Sequence, residues 1–404
     1  MKNKTVPFSI PFIDEREVKE VVKVLRGKWI TTGSETKKFE EKTKSFLDVR
    51  SAIAMSSGTS ALIISLAVHG IGPGDEVITT AYTFASTAIA IIHRGADPVF
   101  CDVQPDTFNI DPEKIKEQVE KGYIRTDQGL KSKTNGKILK AIIPVHFGGQ
   151  PADMEEINRL AYSYGLHVVE DAAHAIGAKQ DGINIGKSRN LVCFSFYSNK
   201  NLTTGEGGMV VTDNDELEKS LRLYSLHGIS KSAIERYKTG LPFYDIVCPG
   251  YKANLTDIQS ALGVVQLSKL DRITFLRNRV AGWYDEFLGD AEELVLPIIK
   301  KENYSARHLY PVLLSPTLKP FRDEIIIELR KKKVYPSVHF IPVHFHSFFK
   351  EYLEPKEKID LPITEDLFHR EISLPIFPGL KKDEVKFVAN SLKTIITKLK
   401  KKAL

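Results

Sequence analysis

Lys200 stands just beyond an apolar run, five residues after Ser195 and shortly before Gly205-Glu206-Gly207-Gly208. Most lysines are solvated surface charge. One held at the rim of a sheet between apolar strands can instead serve as an amine nucleophile in Schiff-base chemistry. Three other segments carry groups that suit such a lysine. In Ser56-Ser57-Gly58-Thr59-Ser60 an apolar run gives way to small polar residues and then to a helical stretch. Gly58 permits a tight turn, and the amides of Thr59 and Ser60 would point out of a helix N-terminus. That is an anion site or, more plainly, a helix cap. In Val168-Val169-Glu170-Asp171, with His174 three residues further on, the carboxylates either mark a strand's exit to solvent or face a protonated ring nitrogen. Phe84, in Thr79-Thr80-Ala81-Tyr82-Thr83-Phe84, could stack on a flat ring or simply open the next helix.

An anion cradle, an amine, a carboxylate and an aromatic are together what pyridoxal phosphate requires of a protein. Positioning them calls for a covered, mostly parallel sheet, because ligands of open α/β sheets bind beyond the carboxyl ends of the strands. The chain supplies the pattern. Strands are predicted at Ala52–Met55, Glu76–Thr79, Pro98–Asp102, Ala141–Val145, His167–Asp171, Leu191–Phe196 and Gly208–Thr212. Helical stretches at Thr59–His69, Phe84–Arg94, Pro112–Lys121, Met154–Tyr164 and Asp215–Leu226 lie between several of them, the rhythm of an α/β fold. Gly122–Lys137 is polar and glycine-containing and reads as an exposed loop. Thr256 to about Phe287 reads as one long helix capped by Thr256. Beyond it, strand-like Leu309–Leu314 and Ser337–Val343, helical Asp323–Lys333 and a helix from Lys382 suggest a smaller α+β domain. The expected division is a large α/β domain over 1–250 and a long connecting helix with the small domain over 251–404.

These motifs resemble the pyridoxal-phosphate sugar aminotransferases of the DegT/DnrJ/StrS family. The likeness runs from Gly27-Lys28-Trp29-Ile30-Thr31-Thr32-Gly33 to Leu374-Pro375-Ile376-Phe377-Pro378. It is most specific in Glu170–Ala175, Phe194–Gly208 and Gly250–Leu262. It implies an aspartate-aminotransferase-like, fold type I α/β architecture and a homodimer with shared active sites. It also implies an amino transfer from glutamate to a nucleotide-linked keto-sugar. By the same resemblance Lys200 is the catalytic Schiff-base lysine, Asp171 the partner of the pyridinium nitrogen and His174 a neighbour of the phenolic oxygen. Gly58, Thr59, Ser60 and Ser195 hold the phosphate, Phe84 stacks on the ring, and Thr32 and His339 contact substrate. Where many relatives read Gly-Tyr-Asn-aromatic-Arg, this chain has Gly250-Tyr251-Lys252-Ala253-Asn254. Lys252 and Asn254 at those cofactor-binding positions, followed by Thr256-Asp257, resemble the 4-amino-4-deoxy-arabinose-type enzymes, which aminate C4. In relatives this loop reaches the partner subunit's site. Members that remove a hydroxyl instead carry histidine at the Lys200 position, which argues against that chemistry. The remaining alternative is a non-catalytic regulator on the same scaffold.

Composition narrows the field. The 404 residues suffice for two or three domains without staples. The net charge of +6 comes from 57 basic against 51 acidic residues, and no nucleic-acid-reading motif accompanies it. No apolar run is long enough to span a membrane. Cys101, Cys193 and Cys248 are scattered and form no CxxC, the usage of a reducing cytoplasm. His339, His344 and His346 lie close in sequence, but no acidic residue or cysteine joins them, so a metal site is not expected.

Overall fold

Apolar runs between residues 51 and 212 pair into one sheet. The computed structural model describes residues 5–230, 243–353 and 359–403. In chain order the strands are β1 (Ser51–Met55), β2 (Asp75–Thr80), β3 (Asp97–Cys101), β4 (Tyr123–Thr126), β5 (Gly129–Ser132), β6 (Ile138–Ile143) and β7 (His167–Asp171). A small hairpin, β8 (Lys179–Gln180) and β9 (Ile183–Asn184), precedes β10 (Leu191–Ser195) and β11 (Gly208–Thr212). The order across the sheet is β1-β11-β10-β7-β6-β2-β3. Only β11 runs antiparallel to its neighbours on this path, so the other six strands end on one edge.

Both faces of the sheet are covered, so its strands read as continuous apolar runs rather than alternating ones. Successive residues still serve different cores. Ala52 and Ala54 of β1 pack with Val192 and Phe194 of β10 on one face. Ile53 and Met55 pack with Leu191 and Cys193 on the other. A further core joins helices Leu270–Leu288 and Lys382–Ala403 to β14 (Pro311–Leu314) and β15 (Glu371–Ser373), and it takes in Val6 from the beginning of the chain. Two short strands, β12 (Leu294–Val295) and β13 (Asn303–Tyr304), edge β14 and β8 respectively. Among the described residues no helix is long and apolar enough to cross a membrane.

Three expectations fail, each for a visible reason. The stretch Gly122–Lys137 is not a loop: it contains the β4–β5 hairpin, which joins the main sheet through β6. Arg125 and Lys131 are exposed, while Leu130 is buried and Tyr123 donates to the buried carboxylate of Glu76 at 2.7 Å. Thr256 does cap a helix, with a capping box to Gln259, but that helix ends at Ser268 and a second runs over Leu270–Leu288. Between them the buried Lys269 donates to the Phe12 carbonyl at 3.0 Å and pairs with Glu17 and Asp14. Apolar periodicity continues through that junction, which hides it from a pattern reading. Ser337–Val343 forms no strand beyond a single bridge from Ser337 to Ser373. Pro336 and Pro342 bring no amide hydrogens, and the His339 amide donates to the Glu371 side chain at 2.9 Å instead of to a strand carbonyl.

Candidate active site

The carboxyl edge of the sheet opens onto a cavity of about 490 Å³. Its walls include Thr59, Phe84, Asp171, His174, Ser195 and Lys200, which come from one helix, two strands and the connections that follow strands.

The helix Gly58–Val68 follows β1 directly, and Ser57 caps it by accepting from the Ser60 amide at 3.0 Å. The turn between them lies tightly against neighbouring strands. A Cβ on Gly58 would stand 2.9 Å from the Cβ of Ser195. Gly208 pairs with both Met55 and Ser195, and a Cβ there would lie 2.4 Å from the Ser57 carbonyl carbon. These two glycines bring the helix N-terminus, Thr59 and the Ser195 hydroxyl to one rim. That arrangement suits a phosphate. Ser60 is not part of the wall: its hydroxyl lies 2.9 Å from that of Ser57 and 3.1 Å from that of Ser56. Ser57 lines the cavity in its place.

β7 ends in two carboxylates that point to opposite sides, and neither marks an exit to solvent. Glu170 is buried beside His146 Nε2 at 3.0 Å and accepts from Asn190 Nδ2 at 2.8 Å. Asp171 faces the cavity. It accepts from Thr87 Oγ1 at 2.8 Å and from the Ala173 amide at 3.1 Å. Burial raises its carboxyl above the usual range, against those two hydrogen bonds and the Lys200 charge. A cation bound beside it in the cavity would favour the ionised form. Thr87, one turn along from Phe84, carries no signal of this contact in its own segment. Nothing short of the fold brings it to Asp171.

Lys200 ends the turn that follows β10. Burial lowers its ammonium to about 8, with the nearby Arg277 acting in the same sense and Asp171 opposing it. The shift raises the share of free amine near neutral pH, the direction that Schiff-base chemistry needs. The Oδ1 of neighbouring Asn199 is buried without a partner among the described residues, and Asn199 also lines the cavity. His174 is held neutral chiefly by burial. Its Nδ1 accepts from the Gly148 amide at 3.2 Å, which leaves the proton on Nε2. His308, from the segment leading into β14, packs against it at a tilt of 34°, with ring centroids 4.3 Å apart. Phe84 is 62% exposed, a large ring left open on the cavity wall. His339 lines the same wall.

Thr32, Lys252 and Asn254 do not reach this chain's own cavity. They form a separate cluster: Lys252 Nζ donates to Asn254 Oδ1, and Asn254 Nδ2 to Thr32 Oγ1. Asn254 bridges to Met55 on the outer side of edge strand β1, and none of the three is among the residues that line the pocket. Asp257 is a scaffold residue. Its carboxylate accepts from the amides of Gly33 and Thr36 at 2.7 and 2.9 Å. Of the three neighbouring histidines only His339 is at the site. His344 sits in a 3-10 turn over Val343–Phe345, with Nε2 3.2 Å from Glu365. No group of three or more histidine, cysteine or acidic side chains that could hold a metal occurs among the described residues.

The model of the DegT/DnrJ/EryC1/StrS aminotransferase family matches residues 11–393. The chain belongs to this family. Among curated relatives of this DegT/DnrJ/EryC1/StrS aminotransferase, the spore coat polysaccharide biosynthesis protein SpsC of Bacillus subtilis is 39% identical, over 98% of each chain. Among solved structures, Helicobacter pylori PseC, an aminotransferase involved in the biosynthesis of pseudoaminic acid, superimposes with a TM-score of 0.86 at 29% identity. It covers 97% of this chain and 99% of its own. The pyridoxal-phosphate form of the sugar aminotransferase Spr1654 from Streptococcus pneumoniae gives 0.86 at 30%, over 98% and 99%. The fold is therefore that of the fold type I, pyridoxal-phosphate-dependent aminotransferases, as the resemblance implied. The 4-amino-arabinose-type branch is not singled out, since relatives with differently described roles match as well.

Proposed function

We propose that this aminotransferase carries pyridoxal phosphate on Lys200 and transfers an amino group from glutamate to C4 of a nucleotide-linked keto-sugar. The observation that carries the reading is the meeting of Lys200, Asp171, Thr59, Ser195 and Phe84 around one cavity. A non-catalytic regulator has no use for a lysine amine held at about 8 above a buried carboxylate.

The residues present fit the cofactor. Thr59, Ser195 and the helix N-terminus would take the phosphate, Asp171 the protonated ring nitrogen, and Phe84 the ring face. Bound there, the cofactor supplies the electron sink that lets a substrate carbon give up its proton. The rest falls to the chain's own groups. Asp171, anchored by Thr87 and the Ala173 amide, keeps a positive charge in place by staying ionised. The Lys200 amine, once released, moves the proton; a positioned proton shuttle contributes about 10²–10⁴-fold. His174 offers an Nε2 proton to an adjacent oxygen. Lys252, Asn254 and Thr32, which do not line their own cavity, serve the site of a partner subunit in a homodimer. The preference for C4 rests on the likeness of Lys252 and Asn254 to 4-aminating relatives, and the choice of glutamate on the family.

The test is incubation with glutamate and matched 4-keto and 3-keto nucleotide sugars, locating the new amine by NMR. A 4-amino product is expected. Product from the 3-keto sugar alone refutes the regiochemistry, and no product from any keto-sugar, with cofactor bound, refutes the function. Lys200→Ala is expected to lose both the absorbance of cofactor joined to lysine and all transamination; full activity in that variant overturns the assignment of Lys200.

A further inference from the structure

Behind His339 lies a hydrogen-bonded chain that the amino-transfer chemistry does not use. His339 Nδ1 is 2.9 Å from Ser373 Oγ. Ser373 Oγ in turn contacts Glu371 Oε1, and Glu371 Oε2 accepts from the His339 amide at 2.9 Å. Glu371 and Ser373, two apart on β15, share a face, and both are fully buried. Backbone bonds between Ser337 and Ser373 in both directions, at 3.0 and 2.9 Å, hold the His339 segment against the strand. Phe8 stacks on the imidazole at 5.2 Å. The ring is thus fixed with one nitrogen in the chain and Nε2 without a hydrogen bond among the described residues, on a residue that lines the cavity.

We infer that Glu371, acting through the single hydroxyl hydrogen of Ser373, sets which tautomer of His339 meets the substrate. The hydrogen count dictates this. Ionised, Glu371 can only accept, so Ser373 donates to it and must accept from His339 Nδ1–H. Nε2 then offers a lone pair to the cavity. Protonated, Glu371 donates to Ser373, Ser373 donates to Nδ1, and the imidazole proton resides on Nε2. The two arrangements differ by one proton on Glu371 and a shift of hydrogens along the same contacts, with no heavy atom displaced. His339 remains neutral in both, since burial holds it down to about 3. Burial pushes Glu371 up to about 8, against the Ser373 and His339 hydrogen bonds and the charge of Arg322. The other titratable group facing Glu371 is Tyr82; Lys200 faces His339, which itself faces His174 and His308. Glu371 and Ser373 are positioning residues. Resting on the sugar-transfer reading, they decide whether the wall at His339 donates to a sugar oxygen or accepts from a sugar hydroxyl.

Glu371→Gln gives a sharp test. Its oxygen must accept from the His339 amide, so its NH2 faces Ser373 and locks the proton on Nε2. The measurement is long-range 15N–1H correlation on 15N-histidine-labelled, cofactor-loaded protein across pH, with His339 assigned from a His339→Gln sample. In the wild type the downfield, proton-free nitrogen of His339 is expected to be Nδ1 at low pH and Nε2 at high pH. In Glu371→Gln it stays Nδ1 throughout, and Ser373→Ala abolishes the crossover. A single tautomer across the range in the wild type, or an undisturbed crossover in Glu371→Gln, overturns the inference. Apart from the His339→Gln sample used for assignment, the wild-type titration needs no variant to fold. These signals are read without sugar or amino donor, so a failure of the sugar-transfer reading appears only in the product assay. With an accepted sugar, Glu371→Gln should also lose one ionisation from the pH profile of kcat/KM for the sugar half-reaction and none for the donor half. An unchanged sugar profile removes the tautomer from recognition.

Discussion

Gly208→Ala tests whether the phosphate rim depends on two strands and a helix start meeting without side chains between them. An added Cβ would stand 2.4 Å from both the carbonyl carbon and oxygen of Ser57 and 2.6 Å from the Gly58 amide nitrogen. Ordinary contact begins at 3.4 Å, so the Ser57-Gly58 turn must retreat by 3.4 − 2.4 = 1.0 Å. All three obstructing atoms are main chain, and no rotamer change relieves them. Overpacking of this kind costs about 1–3 kcal/mol, a fall in melting temperature of about 2–6 °C. The displaced turn carries the Thr59 amide and hydroxyl, and the loss of one hydrogen bond to a charged group costs about 1.5–3 kcal/mol. Pyridoxal phosphate should therefore bind roughly 10- to 100-fold more weakly, whereas pyridoxal, which lacks the phosphate, should lose little. Titrating both ligands by absorbance, with thermal melts alongside, separates the two effects. Gly122→Ala, where an added Cβ meets nothing within 4 Å, is the control and should change stability by less than about 0.5 kcal/mol. A Gly208→Ala protein that melts normally and holds pyridoxal phosphate with unchanged affinity refutes the reasoning.

Asp171→Asn should still bind cofactor but lose turnover by about 10²-fold or more, because an amide cannot keep a ring nitrogen protonated; near-normal single-turnover rates with cofactor bound would count against that role. Mixing Lys200→Ala chains with chains disabled at Lys252 and Asn254 should recover activity through heterodimers holding one intact site. No recovery despite demonstrated subunit exchange argues against shared sites. Glu371 is an acid whose folded-state value, about 8, lies above its ordinary 4.5. Between those values the folded chain holds a proton that the unfolded chain has released, so its contribution to stability declines as pH rises through that window. Denaturant titrations at several pH values should show this slope in the wild type and a shallower one in Glu371→Gln; parallel slopes would contradict it.

The strands that bear the site are legible because a sheet covered on both faces writes itself as apolar runs, and β7 and β11 fall at Asp171 and Gly208 as expected. Lys200, Asp171 and Ser195 can be read from their places at strand ends. Partners that come from elsewhere in the chain cannot. Thr87 reaches Asp171 across 84 residues, and Ser373 reaches His339 across 34. Local pattern also misleads where one residue serves a distant contact. Lys269 interrupts a helix in order to pair with Glu17, and Tyr123 makes a strand of a polar stretch by reaching Glu76. Ser60 reads as part of the rim because it opens the helix beside Thr59, yet its hydroxyl is already engaged by Ser56 and Ser57.

The β4–β5 hairpin pairs its backbone with the sheet at Leu139 and Ile138, the first two residues of β6, and Tyr123 adds the hydrogen bond to Glu76 of β2. The cavity begins beyond the other end of that strand, at Val145. Six residue steps from Leu139 to Val145, at about 3.3 Å each, put roughly 20 Å of extended chain between them. Anchored by Tyr123 and Leu130, the hairpin leaves its exposed tip free to drift, or be rewritten, without consulting the chemistry. Its turn between Thr126 and Gly129 is a natural port for a fluorophore, an affinity tag or a fused domain, and a free site for evolution to attach a new surface to an old enzyme.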